Sequence, residues 1–454
     1  MIDILALLQC IYPIISKTNL RRMRWIVFAM IAMTGRVTML GISRWAGKGG
    51  SYRTIQRFFA EPIAWFQVFW AFFQQHLYQP EAEYILAGDE SVITKSGKYT
   101  HGLDRFFSGL IGKTVKGIAI FAISLIDINE RRSYPVMVEQ VVRTEAEKAA
   151  AKAKKKEASK KKKSKHKSKP GRPKGSKNRD KTQVEFTPEL LRIQAMVKQQ
   201  LAVLQDMVTI TYIALDGHFG NNNALQMVRQ CGLHLISKLR YDAALYFSFE
   251  GSYSGHGPHK KYGSRIDYRK IPAKHLVKTS IKGDIVTKVY HAQMLHKDFA
   301  QALNVIIITK INTKTDAFAN VNLFSSNLEL SYDKIIDFYS LRFQIEFNFR
   351  DAKQFWGLED FMNIKETQLT NAINLSLFMV NVAQVLLCKF RQTSPKSGVL
   401  DLKAYFRAAK YFEETIKMLP EKPEPILFDQ IFGNIASLGS IHCGKVPDVS
   451  AILS

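Results

Sequence analysis

Cysteine is scarce and scattered in this chain. Cys10, Cys231, Cys388 and Cys443 are its four cysteines in 454 residues, and none forms a CxxC pair. That spacing argues against a zinc module and fits a reducing compartment. Long apolar runs are also missing. The stretch LSLFMVNVAQVLLC (375–388) is too short and too polar to span a bilayer. Asp3 stands where a signal peptide would carry basic residues, so no signal peptide is predicted. The glycines at 41–49 do not make a phosphate loop. Five residues, rather than four, separate Gly41 from Gly47, and Gly49 follows Lys48 in place of Ser or Thr. No internal repeat is present.

Acids are few beside bases. Asp and Glu number 39 against 65 Lys and Arg, a net charge of +26. Such a surplus points to an anionic partner, nucleic acid or an acidic membrane surface. No basic amphipathic helix with a bulky apolar face accompanies the charge, so a membrane role is the weaker of the two. The expected location is the cytoplasm, at the nucleoid. Hydrophobic residues make up 46% of the chain, enough for real cores.

Composition divides the chain. Residues 1–80 read as helical, broken at WAGKGGSYRTIQRFF (45–59). Arg53, Gln56 and Arg57 fall on the second helix, the pattern of a helix-turn-helix DNA-binding domain or of a plain helical hairpin. Residues 81–144 read as strands; VKGIAIFAISLIDI is a continuous apolar run, as expected of a strand buried on both faces. Residues 145–185 are a basic linker, predicted to be disordered. From Lys148 to Lys181 it holds 17 Lys and Arg against Glu157 and Asp180, and so supplies 15 of the 26 net charges. Within it, KPGRPKGSKNRDK (169–181) resembles an AT-hook, in which Arg172 and Lys174 would enter an A·T-rich minor groove. Residues 186–240 read as helix, strand, helix, strand; 241–305 as a β-rich insertion; 306–395 as a returning strand and two helices; 396–454 carry little pattern.

This order is that of a ribonuclease-H-like α/β core, a mixed sheet with flanking helices. Such a core places one acid inside its first strand, one at the end of a later strand and one on a helix. The candidates are Asp89 in LAGDES, Asp216 in IALDGHFG and Glu346. Three carboxylates suit two Mg²⁺ ions, with Mn²⁺ as a substitute, because both prefer hard oxygen donors. Two such ions would activate the attacking oxygen and stabilise the leaving one in phosphodiester chemistry. Each residue also has a plainer reading. Asp216-Gly217 is a common turn pair, Asp89 could cap a strand, and Glu346 is spaced to pair with Arg342 and Arg350 on a helix surface.

The segment FYSLRFQIEFNFRDAKQFWGLEDF (338–361) adds a second pattern. At about 100° per residue, and measured from Tyr339, Arg342 falls at roughly −60°, Glu346 at −20° and Lys353 at −40°. One helix would carry all four on one stripe, walled by aromatics.

Tyr339-x2-Arg342-x3-Glu346-x6-Lys353 resembles the Y-R-E-K signature of bacterial insertion-sequence DDE transposases of the IS-four type. The surrounding residues look most similar to the IS-seven-oh-one-like group. AGDESVITKSGKYTHGLDRFFSG and YIALDGHFGNNNAL resemble the segments around the first two catalytic acids. The resemblance covers roughly residues 80–390. It implies that Asp89, Asp216 and Glu346 bind metal and that Tyr339, Arg342 and Lys353 position DNA phosphates. It also implies a cut-and-paste transposase that binds terminal inverted repeats and joins the freed end to target DNA. A dimer on DNA is expected. The basic segment departs from the family pattern. Two alternatives stay open: a related nuclease that cuts without joining, and a domesticated, non-enzymatic DNA-binding regulator.

Overall fold

Five helices open the chain: α1 (Ile4–Leu8), α2 (Lys17–Ala32), α3 (Met39–Ala46), α4 (Tyr52–Ala60) and α5 (Trp65–His76). Hydroxyl side chains start three of them. Ser16, Thr38 and Ser51 each accept a backbone N–H from three residues ahead, giving α2, α3 and α4 their N-caps. The structure, a computed structural model, describes residues 4–149, 153, 180–421 and 424–442, except 48, 110, 205, 206, 254 and 258. The hook-like motif with Arg172 and Lys174 lies outside the described residues.

The sheet follows. Its strands are β1 (Tyr84–Thr94), β2 (Asp104–Ser108), β3 (Lys113–Asp127) and β4 (Arg132–Val141). After helix α6 (Pro188–Leu204) come β5 (Tyr212–Leu215), helix α7 (Asn222–Gln230), β6 (His234–Leu239), β7 (Leu245–Ser248) and β8 (Tyr262–Arg265). Then come β9 (Leu276–Lys282), β10 (Ile285–His296), β11 (Leu303–Asn312) and β12 (Phe318–Ser325). The path runs β2-β3-β1-β5-β6-β12-β11-β10-β7-β8, with β4 on β3 and β9 on β10. β1, β5 and β6 are mutually parallel, and the neighbours on either side of them are antiparallel. The β-rich stretch expected as an insertion therefore continues the same sheet.

A second helical block closes the chain: α8 (Tyr332–Leu341), α9 (Gln344–Phe355), α10 (Glu366–Phe390), α11 (Val399–Met418) and α12 (Pro425–Ser437). The last two fill the segment in which the sequence shows little pattern. α10 is long and apolar enough to cross a membrane, but most of it is buried inside the protein. Its asparagines explain why it belongs there. Asn371 accepts from Trp65 Nε1 at 2.8 Å and donates to the carbonyls of Phe59 and Glu61, both at 2.8 Å. Asn381 donates to the Pro135 carbonyl at 2.7 Å. Burying an amide is costly unless it finds such partners, and Asn371 is satisfied through both its oxygen and its N–H groups. These bonds pin the N-terminal helices and β4 to α10, and one continuous apolar core runs through all of them.

The second core is small and lies on the other face of the sheet. Ile85 and Ala87 of β1, Ala214 of β5, Ile236 of β6, Ile306 of β11 and Leu323 of β12 meet Ile335, Phe338 and Leu341 of α8. Side chains alternate along a strand, so β1 contributes Tyr84 and Leu86 to the large core and Ile85 and Ala87 to the small one.

One element differs from expectation. The stripe-bearing helix is two helices. At the join, Phe343, Ile345 and Glu346 donate to the carbonyls three residues back, Ser340, Arg342 and Phe343. That is a 3₁₀ tightening between α8 and α9.

Candidate active site

Strand register brings the first two acids together. The parallel pairs Leu86↔Ile213, Ala87↔Ala214 and Gly88↔Leu215 run toward the carboxyl ends of β1 and β5. Asp89 and Asp216 stand one step beyond. Both share the parity of Ala87 and Ala214, and so point to the small-core face. Asp216 leaves the strand in extended backbone, and its Oδ1 accepts the His218 N–H at 3.1 Å. The short strand, four residues rather than the longer run expected, ends where that turn begins.

Arg342 connects the third acid. Its Nη1 donates to Asp89 Oδ2 at 3.1 Å and its Nη2 to Glu346 Oε1 at 3.2 Å. Arg342 is buried, at 8% exposure, and its Nε has no hydrogen-bond partner among the described residues. Asp89 is pushed up to about 6. Burial is the main cause, opposed by Arg342 and the Glu90 N–H and reinforced by the charges of Asp216 and Glu346. Arg342 moves above its ordinary value: burial alone would lower it, but Asp89, Tyr339 and Glu346 outweigh burial.

The remaining expected residues divide. Tyr339 joins the group, with the Arg342 guanidinium 5.6 Å from its ring centre. Its hydroxyl is raised by burial, opposed by Arg342 and reinforced by Asp216 and Asp89. Lys353 is further along α9. It donates to the Val92 carbonyl at 3.3 Å and pairs with Glu359 at 3.1 Å. Arg350 turns to the surface, pairs with Asp351 at 3.0 Å and lies 4.6 Å from the Phe347 ring centre. Arg53 and Arg57 lie on the exposed side of α4, whose Ile55, Phe58 and Phe59 are buried.

A residue that sequence reading passes over also belongs to the row. The parallel pairing of β5 and β6 ends at Ala214↔Ile236, and Asp216 and Lys238 each stand two residues beyond it. Lys238 is exposed on the small-core face. A Lys in HLISKL carries no motif signal; only the parallel register of β5 and β6 reveals it.

The donor set suits a hard divalent cation, since all three candidates are carboxylates. Their arrangement is not that of a closed metal cage. Arg342 stands between Asp89 and Glu346, and no group of three or more His, Cys, Asp and Glu is spaced to hold a metal among the described residues.

The sequence pattern of the DDE superfamily endonucleases matches residues 10–296 of this chain, well over half of it. The match includes Asp89 and Asp216 and ends before Glu346. The chain is also 24% identical over 205 residues to a protein of Bacillus thuringiensis subsp. finitimus, described as the transposase for insertion sequence element IS231E. That alignment takes in 40% of this chain and 42% of the relative, so the chain spans about two fifths of that protein's length.

Proposed function

The chain belongs to the DDE superfamily endonucleases, and from that membership we propose that it is an insertion-sequence transposase of the IS-four type. Its strands β4-β3-β1-β5-β6 would be the ribonuclease-H-like core. The observation that carries the reading is the approach of three carboxylates just beyond the parallel pairing of the central strands: Asp89 and Asp216 one step past the last paired residues of β1 and β5, and Glu346 tied to Asp89 through Arg342.

Asp89, Asp216 and Glu346 would hold Mg²⁺, which when bound supplies Lewis-acid activation of water or a 3′-hydroxyl and stabilises the leaving oxygen. The chain's own groups do the rest. Arg342 carries positive charge beside the carboxylates in a buried setting, where it counts for more than in water. Tyr339, packed on Arg342, keeps that guanidinium in place and presents a hydroxyl to a phosphate oxygen. Lys353, bonded to the Val92 carbonyl, would fix the register of α9 against β1, and it would reach the DNA backbone only by exchanging Glu359 for a phosphate. The exposed Arg53 and Arg57 of α4, Arg350, and the basic segment with Arg172 and Lys174 would bind duplex DNA through its phosphates. Terminal inverted repeats and a target duplex are the substrates, handled by a dimer on DNA in the cytoplasm.

The test uses an end fragment taken from the genomic DNA that flanks the gene. It is labelled and incubated with purified protein, target plasmid and Mg²⁺, beside Glu346→Gln and a metal-free control. Joined products that vanish in both controls are expected. Cleavage without joining would make the protein a nuclease. Salt-sensitive binding without cleavage in Mg²⁺ or Mn²⁺ would make it a regulator.

A further inference from the structure

A phosphate lying across two aspartates needs a cation whose charge is not already committed. The basic side chains of the helical signature do not offer one. Arg342 is shared by Asp89 and Glu346, Lys353 is paired with Glu359, and Arg350 with Asp351. Lys238 is different. It is exposed, and none of the described residues forms an ion pair or side-chain hydrogen bond with its ammonium.

Its placement follows from the backbone. Counted on from the last paired residues of β1, β5 and β6, Asp89, Asp216 and Lys238 stand level with one another, with the parity of Ala87, Ala214 and Ile236 on the small-core face. Adjacent strands lie about 4.8 Å apart, so the row is short enough for one stretch of nucleic acid backbone to cover it. Ser237 Oγ donates to the Asp216 carbonyl at 2.7 Å and ties the end of β6 to the turn that carries Asp216. Two glycines make the close approach possible. A Cβ on Gly217 would stand 3.2 Å from Lys238 Cε, and one on Gly220 would stand 2.1 Å from the Lys238 carbonyl oxygen. The Lys238 side chain therefore runs along the turn that follows Asp216. Each aspartate thus has its own neighbouring cation: Arg342, committed, bonds Asp89, and Lys238, uncommitted, lies along the turn that follows Asp216.

We propose that Lys238 is a positioning residue that grips a phosphate of the DNA strand lying across Asp89 and Asp216. The inference rests on the reading of this site as a DNA-cleaving one. A lysine suits the task as a mobile point charge with three donors.

The test compares full-length wild type, Lys238→Met and Lys238→Arg, each first checked for an unchanged melting temperature. Binding to a labelled duplex of the element's end is measured in EDTA across a salt series. Losing one phosphate contact should flatten the slope of log K against log salt by about 0.9 in Lys238→Met, and Lys238→Arg should restore it. The same duplex is then made with one neutral methylphosphonate at each phosphate around the cut. One such position should weaken wild-type binding and have no further effect on Lys238→Met. An unchanged slope, or equal methylphosphonate effects in both proteins at every position, would overturn the assignment. Wild type that fails to cut the end in Mg²⁺ would instead remove the DNA-cleaving reading on which it rests.

Discussion

The protein buries two cations in different ways. Arg342, 8% exposed, sits at the join of α8 and α9 with carboxylates at 3.1 and 3.2 Å. Lys403, 7% exposed, lies on α11 with no carboxylate partner among the described residues. It donates to the Met30 carbonyl at 2.6 Å and stands 4.9 Å from the Trp356 ring centre. The electrostatic result is opposite. Arg342 is held charged by Asp89, Tyr339 and Glu346 against the cost of burial. Lys403 is pushed down to about 7, chiefly by burial and then by Arg407. Burial of charge therefore does not itself mark a site. A cation shared between acids stays charged and holds those acids in place, whereas a cation held by a carbonyl and a ring is a packing compromise.

The largest separation between the two should appear in DNA cleavage. Arg342→Gln removes the charge that Asp89 and Glu346 share and should lower Mg²⁺-dependent cleavage on the order of 10²-fold, as losing one preorganised donor does elsewhere. Lys403→Met should leave the rate within about twofold. The measurement is cleavage of the labelled end under single turnover. Equal losses in the two variants would break the comparison.

Stability should reverse the order. The Lys403 value of about 7 in the folded chain lies below the 10.5 of an unfolded lysine. Between those values the unfolded chain binds more protons, so stability rises with pH across that window. Below pH 7 the full cost of burying the charge remains. Each pH unit between the folded and unfolded values corresponds to about 1.4 kcal/mol. Lys403→Met should therefore stabilise the protein by roughly 1–4 kcal/mol at pH 6, and the gain should fade toward pH 10. Urea titrations of both proteins at pH 6, 8 and 10 would check this. A gain that does not fade would mean that Met improves packing and that charge is not the cause.

The same contrast shows where sequence suffices. Asp89 and Asp216 were legible because a strand ending in an acid keeps its meaning once strand order is known, and parallel pairing does the rest. Glu346 was singled out by element order and by the Y-R-E-K spacing, and the pair with Arg342 read as its plainer alternative is present across the join of α8 and α9. The break in the single stripe was not legible, because the 3₁₀ join at Arg342 and Phe343 involves no Gly or Pro and so leaves no mark in the sequence. It resets the angle between Tyr339 and Arg342 on one side and Glu346 and Lys353 on the other, while Lys353 stands two turns beyond Glu346 on α9, about 10 Å along the axis. Lys238 needed a register that no local pattern encodes. Lys403 stood on a helix where lysine is ordinarily solvated, and only the packing of α11 on α2 buries it. The N-terminal helices read correctly as helices, but their attachment depends on Asn371, a buried amide three hundred residues away.

The smallest effect should come from Glu90, the neighbour of Asp89. Successive side chains leave a strand on opposite faces, so Glu90 points away from Arg342 and Asp216. Its surroundings are acidic Glu189 with Arg143 and His218; desolvation raises its carboxyl first, Glu189 adds to the rise, and Arg143 and His218 oppose it. Glu90 forms no direct ion pair with a described residue. What it gives the site is its backbone N–H, which donates to Asp89 Oδ1 at 2.9 Å, and a glutamine supplies the same N–H. Glu90→Gln should therefore cut the end within about twofold of wild type, while Asp89→Asn one residue away should lose nearly all activity. Running both beside Arg342→Gln in one assay sets the boundary of the site. If Glu90→Gln fell with them, chemistry would extend round the strand to Glu189 and His218, and a shared arginine would no longer distinguish the working carboxylates from the others.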